Sequence, residues 1–187
     1  PTIDGINTWY ACKAAKENNL KVVLSGVGAD EVFFGYPSFN QIPKIIKYSK
    51  IIKKYKFFEY IISFFLIIFA KIIKNSKYKY LINYGDNPYS VFWLKRGLFS
   101  PTELGLNKNY VINILQKLVG NLPKNLKLAT QKLEISYYLR NQLLRDSDWA
   151  SMSFGVELRT PFVDSTFFSK SMYIHNQLMN SKNKRLL

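Results

Sequence analysis

Apolar positions recur at helical spacing through most of this chain, and one short stretch near the start breaks the rhythm. From Asp4, read as a helix N-cap, apolar or small side chains fall at Ile6, Trp9, Tyr10, Ala14 and Ala15, and Asn18-Asn19 closes the segment. Lys21 to Leu24 then reads as a short buried strand of β-branched and aliphatic residues. A turn holding two glycines follows, and Asp30 to Phe34 opens another helix. Helix, strand, glycine turn and helix in that order are the parts of a doubly wound α/β layer.

From Gln41 to about Ile73 the chain reads as helical throughout. Lys44, Lys47, Lys50 and Lys54 recur at three- and four-residue steps with Ile45, Ile46, Tyr48 and Ile52 between them, the pattern of an amphipathic helix with a solvated basic face. Residues 57–70 form the most apolar run, flanked by Lys53, Lys54, Lys56, Lys71 and Lys74. A membrane span needs about 20 apolar residues, and this run is shorter and carries Glu59. The flanking lysines suit a helix lying on a membrane surface; the length suits a buried hairpin helix, which is the preferred reading. Asn83 to Pro88 is a turn, Pro101-Thr102 opens the next helix with Glu103 in its first turn, and helical patterns continue to the end without internal repeats. The expected fold is α/β: a partial doubly wound layer followed by a mostly helical C-terminal part, all within one domain spanning residues 1–187.

Composition changes this picture little. The formal charge of +15 over 187 residues invites a nucleic-acid or anionic-membrane partner. The excess of Lys comes together with Ile, Asn, Tyr and Phe, however, and A/T-rich codons produce all five. Charge alone therefore does not argue for nucleic acid. Cys12 is the sole cysteine, so an internal disulfide and a thiol metal cluster are both excluded, and a reducing cytoplasm is the expected compartment. Cys12 lies in a helical pattern and reads as a buried structural thiol. His175 is the sole histidine, which rules out a His-based zinc site or a Ser-His-Asp triad within this chain.

The chemistry concentrates in the turn Ser25-Gly26-Val27-Gly28-Ala29-Asp30-Glu31. Two glycines let backbone N–H groups approach an anion closely, and a carboxylate directly after such a turn suits Mg²⁺, which prefers a few carboxylates plus phosphate oxygens. A second signature runs over residues 140–164 as R-N-Q-L-L-R-D-S-D-W-A-S-M-S-F-G-V-E-L-R-T-P-F-V-D. Together the two resemble the synthetase domain of glutamine-dependent asparagine synthetases, members of the ATP-pyrophosphatase superfamily with an adenine nucleotide alpha hydrolase-like fold. That family carries S-G-x-G-x-D-E-x-F-x-G-Y and, later, R-x-D-x-x-S-M-x-x-x-x-E-x-R-x-P-F-x-D. The resemblance covers essentially the whole chain and is weakest from about Lys44 to Thr130.

The resemblance implies that ATP adenylates the side-chain carboxylate of aspartate, and that ammonia then converts the aspartyl-adenylate to asparagine. The ammonia would come from glutamine through a glutaminase domain of the same chain. Ser25 and Gly26 match residues that touch the adenylate, with Gly28 in the same turn. Asp30 matches a magnesium–pyrophosphate ligand, and Glu31 is the acid beside it. Lys184, before Arg185-Leu186-Leu187, resembles the family's lysine that stabilises charge during adenylation and amide formation. Arg145, Asp146, Glu157, Arg159 and Asp164 read as a paired scaffold network, and Ser151 and Met152 as packing on the nucleotide side.

Two departures matter. Val27 stands where many asparagine synthetases have a glutamate, and valine can neither take a proton nor hydrogen-bond a substrate. That opens a second reading, in which another carboxylate, such as a cell-surface sugar, is the acceptor. Phe34 stands where glycine is usual, which suggests a repacked turn. An S-G-G-x-D-S pyrophosphate loop does not occur in these 187 residues. The chain therefore reads as part of a longer protein, and by itself is expected to release no pyrophosphate from ATP plus aspartate; robust turnover would overturn this. A non-catalytic membrane- or nucleic-acid-binding remnant is the reading from another class.

Overall fold

The computed structural model describes residues 2–180, so Lys184 lies outside the described residues. In chain order the elements are α1 (Ile3–Glu17), β1 (Val22–Leu24), α2 (Ala29–Phe33), α3 (Ser38–Lys53), α4 (Lys56–Ile72), α5 (Leu81–Tyr84), α6 (Pro88–Arg96), α7 (Lys108–Val119), α8 (Leu126–Leu133), a π-helix over Glu134–Leu143, α9 (Leu144–Met152), β2 (Glu157–Arg159) and α10 (Ser165–Asn180). The chain is mostly helical, with one two-stranded parallel sheet. It divides into two units, one made of residues 1–36 with 134–187 and the other of residues 37–133.

In the first unit, α1 packs along α9. Its N-cap is Thr2 rather than Asp4: Thr2 is extended, and its Oγ1 accepts the Gly5 N–H at 3.0 Å. Asp4 instead sits in the first turn, where a carboxylate favours the positive end of the helix. The buried stripe also differs from the expected one, being Gly5, Cys12 and Ala15 while Ile6 and Tyr10 face outward. The reason is steric. A methyl on Gly5 would stand 3.0 Å from Trp149 Cζ2, so only small residues let the two helices approach this closely. The helix ends as expected at Asn18-Asn19, with Asn19 left-handed at φ 57° and the Leu20 N–H bonded to the Ala15 carbonyl at 2.9 Å.

Strand β1 pairs in parallel with β2, Val22 opposite Glu157 and Leu24 opposite Arg159. The second strand was not anticipated. Its apolar–polar alternation through Val156-Glu157-Leu158-Arg159 is only a few residues long and hides inside the second signature. Nor is β1 buried as its composition suggested: Leu24 is 75% exposed, because among the described residues the strand has one neighbour and parallel strands are covered only when both faces are packed.

In the second unit, α3 supplies Phe39, Ile42 and Ile46 to a core shared with Val91, Phe92 and Leu94 of α6, Leu115 of α7 and Leu133 of α8. Each such side chain contributes about 1.5–3 kcal/mol on leaving water. The buried hydroxyl of Ser90 donates to the Tyr84 carbonyl at 2.6 Å. Asp86, in the expected turn, accepts from Lys53 at 2.8 Å and from Lys108. Pro88 sits at the start of α6, capped by Asn87. The Lys44–Lys54 face is exposed, as its spacing required. Pro101-Thr102 does not open an α-helix; residues 102–104 make a single 3₁₀ turn, and Asn107 caps α7 instead.

Helix α4 overturns the buried-hairpin expectation. Of its seventeen residues only Ala70 is buried. Glu59, Ile62, Ser63 and Leu66 are half-buried along one strip, and the aromatic remainder faces solvent.

Candidate functional site

The first signature places its turn at the C-terminal end of a parallel strand, the position where open α/β sheets bind ligands. Ser25 N–H continues the strand pairing by donating to the Arg159 carbonyl at 2.8 Å, so the two signatures, more than 100 residues apart in sequence, meet here. Ser25 Oγ accepts the Val27 N–H at 3.3 Å, and the Gly26 carbonyl accepts the Ala29 N–H at 3.1 Å. Gly28 takes φ 96°, and a methyl there would stand 2.7 Å from Val163 Cγ2. Glycine at this position is thus demanded twice, by conformation and by space. Gly26 faces open space, and any side chain there would project from the turn.

A cavity of about 290 Å³ opens in front of this turn. Gly26, Val27, Gly28 and Asp30 line one side, Asp4, Asn7 and Thr8 of α1 another, and Tyr36, Leu143, Asp146 and Ser147 the rest. Three of these residues are aspartates and none is basic. Asp4 Oδ2 accepts the Tyr138 hydroxyl at 2.9 Å. Asp146 accepts the Trp149 indole N–H at 3.1 Å and the Thr2 hydroxyl. Asp30 stays exposed in the first turn of α2. Gly35 makes room for it, since a methyl on Gly35 would collide with Asp30 Oδ1.

Glu31 does not line this cavity. It is fully buried, and its Oε1 accepts the Tyr36 hydroxyl at 3.1 Å. Burial pushes its carboxyl above the ordinary range, with the nearby Glu134 and Asp30 adding to the effect and the hydrogen bonds to Glu31 partly opposing it. Tyr36, which does line the cavity, has its hydroxyl raised by burial and by the Glu31 charge. Phe34 is left-handed at φ 58°, the conformation for which glycine is the usual solution.

The expected scaffold network resolves into separate parts. Glu157 and Arg159 pair with each other at 2.8 Å on the surface. Asp164 caps α10 through the Thr166 and Phe167 N–H groups. Asp146 braces α1 against α9. Arg145 lines a second cavity of about 560 Å³ together with Thr2, Asn141, Gln142, Asp146, Asp148 and Trp149. Ser151 is buried and bonded to the Asp148 carbonyl, and Met152 is exposed; neither borders the first cavity. Sequence reasoning missed Asp4, Asn7, Thr8 and Tyr36 as wall residues. Tyr36 stood in the quoted motif, whereas the other three carried only a helical pattern. Cys12 is fully buried, as expected, and burial raises its thiol.

The geometry thus sets a glycine turn and an exposed carboxylate at the C-terminal end of a parallel strand, in front of a cavity. The model of the asparagine synthase family matches residues 3–187, and the chain belongs to that family. The chemistry of the family is ATP-dependent amidation, carried out by ligase-type enzymes on small-molecule substrates. No curated protein and no solved structure matches the chain. Among the described residues no helix is long and apolar enough to cross a membrane.

Proposed function

We propose that this chain is the nucleotide-activating part of a cytoplasmic enzyme that converts aspartate to asparagine, built on a doubly wound layer completed by other parts of the protein. The aspartate side-chain carboxylate attacks the α-phosphorus of ATP and pyrophosphate leaves. Ammonia, delivered by a glutaminase domain of the same protein, then attacks the aspartyl-adenylate carbonyl and AMP leaves. What supports this reading above all is the meeting of the two signatures at one strand pair, with Asp30 at the mouth of the cavity it frames.

Each residue has a part. Gly26 lines the cavity and would touch the adenylate, Ser25 stands just outside that lining and holds the turn through the Val27 N–H, and Gly28 fixes the turn that brings this backbone close. The charge of the cavity bears on magnesium: a wall with three aspartates and no basic side chain repels a bare triphosphate. Asp30 is exposed in that wall, and magnesium is commonly held by one or two carboxylates plus substrate phosphates. Asp30 would hold it, and the ion would neutralise charge on the departing pyrophosphate. Glu31 acts through Tyr36, holding by its hydroxyl a side chain that lines the cavity. Lys184 would add the positive charge that these walls lack.

The test is pyrophosphate release from ATP and aspartate by the full product of the gene. Asp30→Asn lowers kcat by at least about 100-fold, the size of a lost electrostatic stabiliser, whereas Glu17→Gln on the exposed end of α1 leaves it unchanged. Equal rates in Asp30→Asn and parent would end the assignment. Val27 in the cavity wall favours the second reading, another carboxylate as acceptor. AMP formation that other carboxylates support better than aspartate would establish it.

A further inference from the structure

The solvent-facing side of α4 has no place in amidation chemistry. Nine of its seventeen residues are exposed large apolar or aromatic side chains: Phe57, Phe58, Tyr60, Phe64, Phe65, Phe69 and three isoleucines. At 100° per residue they sweep an arc of about 200°, far wider than the single stripe a helix needs to pack on its own core. Phe65 is 63% exposed and Phe64 58%. A patch of this kind on a protein surface marks an interaction site.

The charge around the patch says what covers it. Ten lysines and one glutamate lie between residues 44 and 80. Lys54 and Lys56 stand at one end of α4, Lys71 and Lys74 at the other, and all four are exposed. The one acid, Glu59, is half-buried on the strip that faces the protein. A second copy of this surface would set like charges against like at both ends. An anionic lipid surface satisfies both features, taking the rings into the headgroup–acyl boundary while the lysines reach phosphates. The helix is about 25 Å long, too short to span the hydrocarbon core but sufficient to lie along its surface.

We propose that α4 is an in-plane membrane anchor that docks this protein on anionic bilayers. The proposal rests on residues 37–133 alone and stands or falls independently of the reaction assigned above.

The experiment is co-sedimentation of the whole chain with vesicles of phosphatidylcholine, with or without about 30 mol% phosphatidylglycerol. Binding to the anionic vesicles is expected to be at least about tenfold tighter than to the neutral ones. It should fall steeply as salt rises from about 0.1 to about 1 M, where the screening length drops from about 10 to about 3 Å. The double variant Phe64→Ser, Phe65→Ser should lose at least about 90% of the bound fraction with an unchanged circular dichroism spectrum, since both side chains lie outside the core. Independently, the Phe65→Trp variant should shift its emission to the blue on adding anionic vesicles and stay unshifted with neutral ones. Absence of sedimentation, equal binding to both vesicle types, or an unshifted emission from the Phe65→Trp variant would each overturn the proposal. So would a dimer in ultracentrifugation that the double serine variant dissolves, because a second copy would then cover the face.

Discussion

Two glycines in the first signature carry different burdens. Gly28 is held at φ 96° against Val163, so Gly28→Ala should cost about 1–3 kcal/mol in a urea titration, by strain and by displacement of its neighbour. Gly35 borders Asp30 instead, so Gly35→Ala should move that carboxylate and reduce catalysis more than stability. Glu31 gives a pH signature. Its folded-state carboxyl is raised above the ordinary 4.5, so its contribution to stability is complete below pH 4.5 and is lost as pH rises through the raised value. The difference in Tm between Glu31→Gln and the parent should therefore move in the variant's favour between pH 4.5 and 7, and a flat difference would refute the shift. Asp86 runs the other way. Burial alone would raise it, but Lys108 and Lys53 hold it below its ordinary value of 3.8. The stability from this pair is present above pH 3.8 and is lost as pH falls below it, and Asp86→Asn should flatten that part of the acid limb.

Helix ends decide much at the scale of elements. Both α1 and α4 close with a left-handed residue and a 6→1 bond, Leu20 to Ala15 in one and Asn75 to Ala70 in the other. Asparagine tolerates that conformation, whereas Lys74 at φ 54° does not. Lys74→Gly should therefore stabilise by about 0.5–1 kcal/mol in thermal or urea melts, and Asn19→Gly by less. The helical period and the lysine face of α3 were readable because each is set by neighbours in sequence, whereas Asn87-Pro88, read as part of a turn, proved to be the capped start of α6. The inner face of α1 was not. Ile6 and Tyr10 point outward because Trp149 and Asp146 demand a small partner at the close approach to Gly5, and nothing within α1 announces that demand. Strand β2 escaped for a similar reason, its three residues becoming a strand by pairing with β1.

For the molecule as a whole, the ligand site and the aromatic face belong to different units. Hydrogen exchange with and without magnesium-ATP should slow in residues 22–36 and 144–160 and leave residues 56–72 unchanged. Protection appearing in α4 instead would contradict the site assigned here. The same independence predicts that the double serine variant on α4 keeps the parent's catalytic rate in solution.

Residue types and their spacing were enough for the family, the helical character, the strand-and-glycine turn and the place of Asp30 beside it, because these depend on local period and on residues that few other structures require. The assembled fold decided which walls meet that turn, that Glu31 turns inward to Tyr36 while Asp30 stays at the cavity, and that α4 shows its rings to solvent. A hydrophobic run says that a helix must hide from water, and only the arrangement of its neighbours decides whether they hide it or leave it for something else to cover.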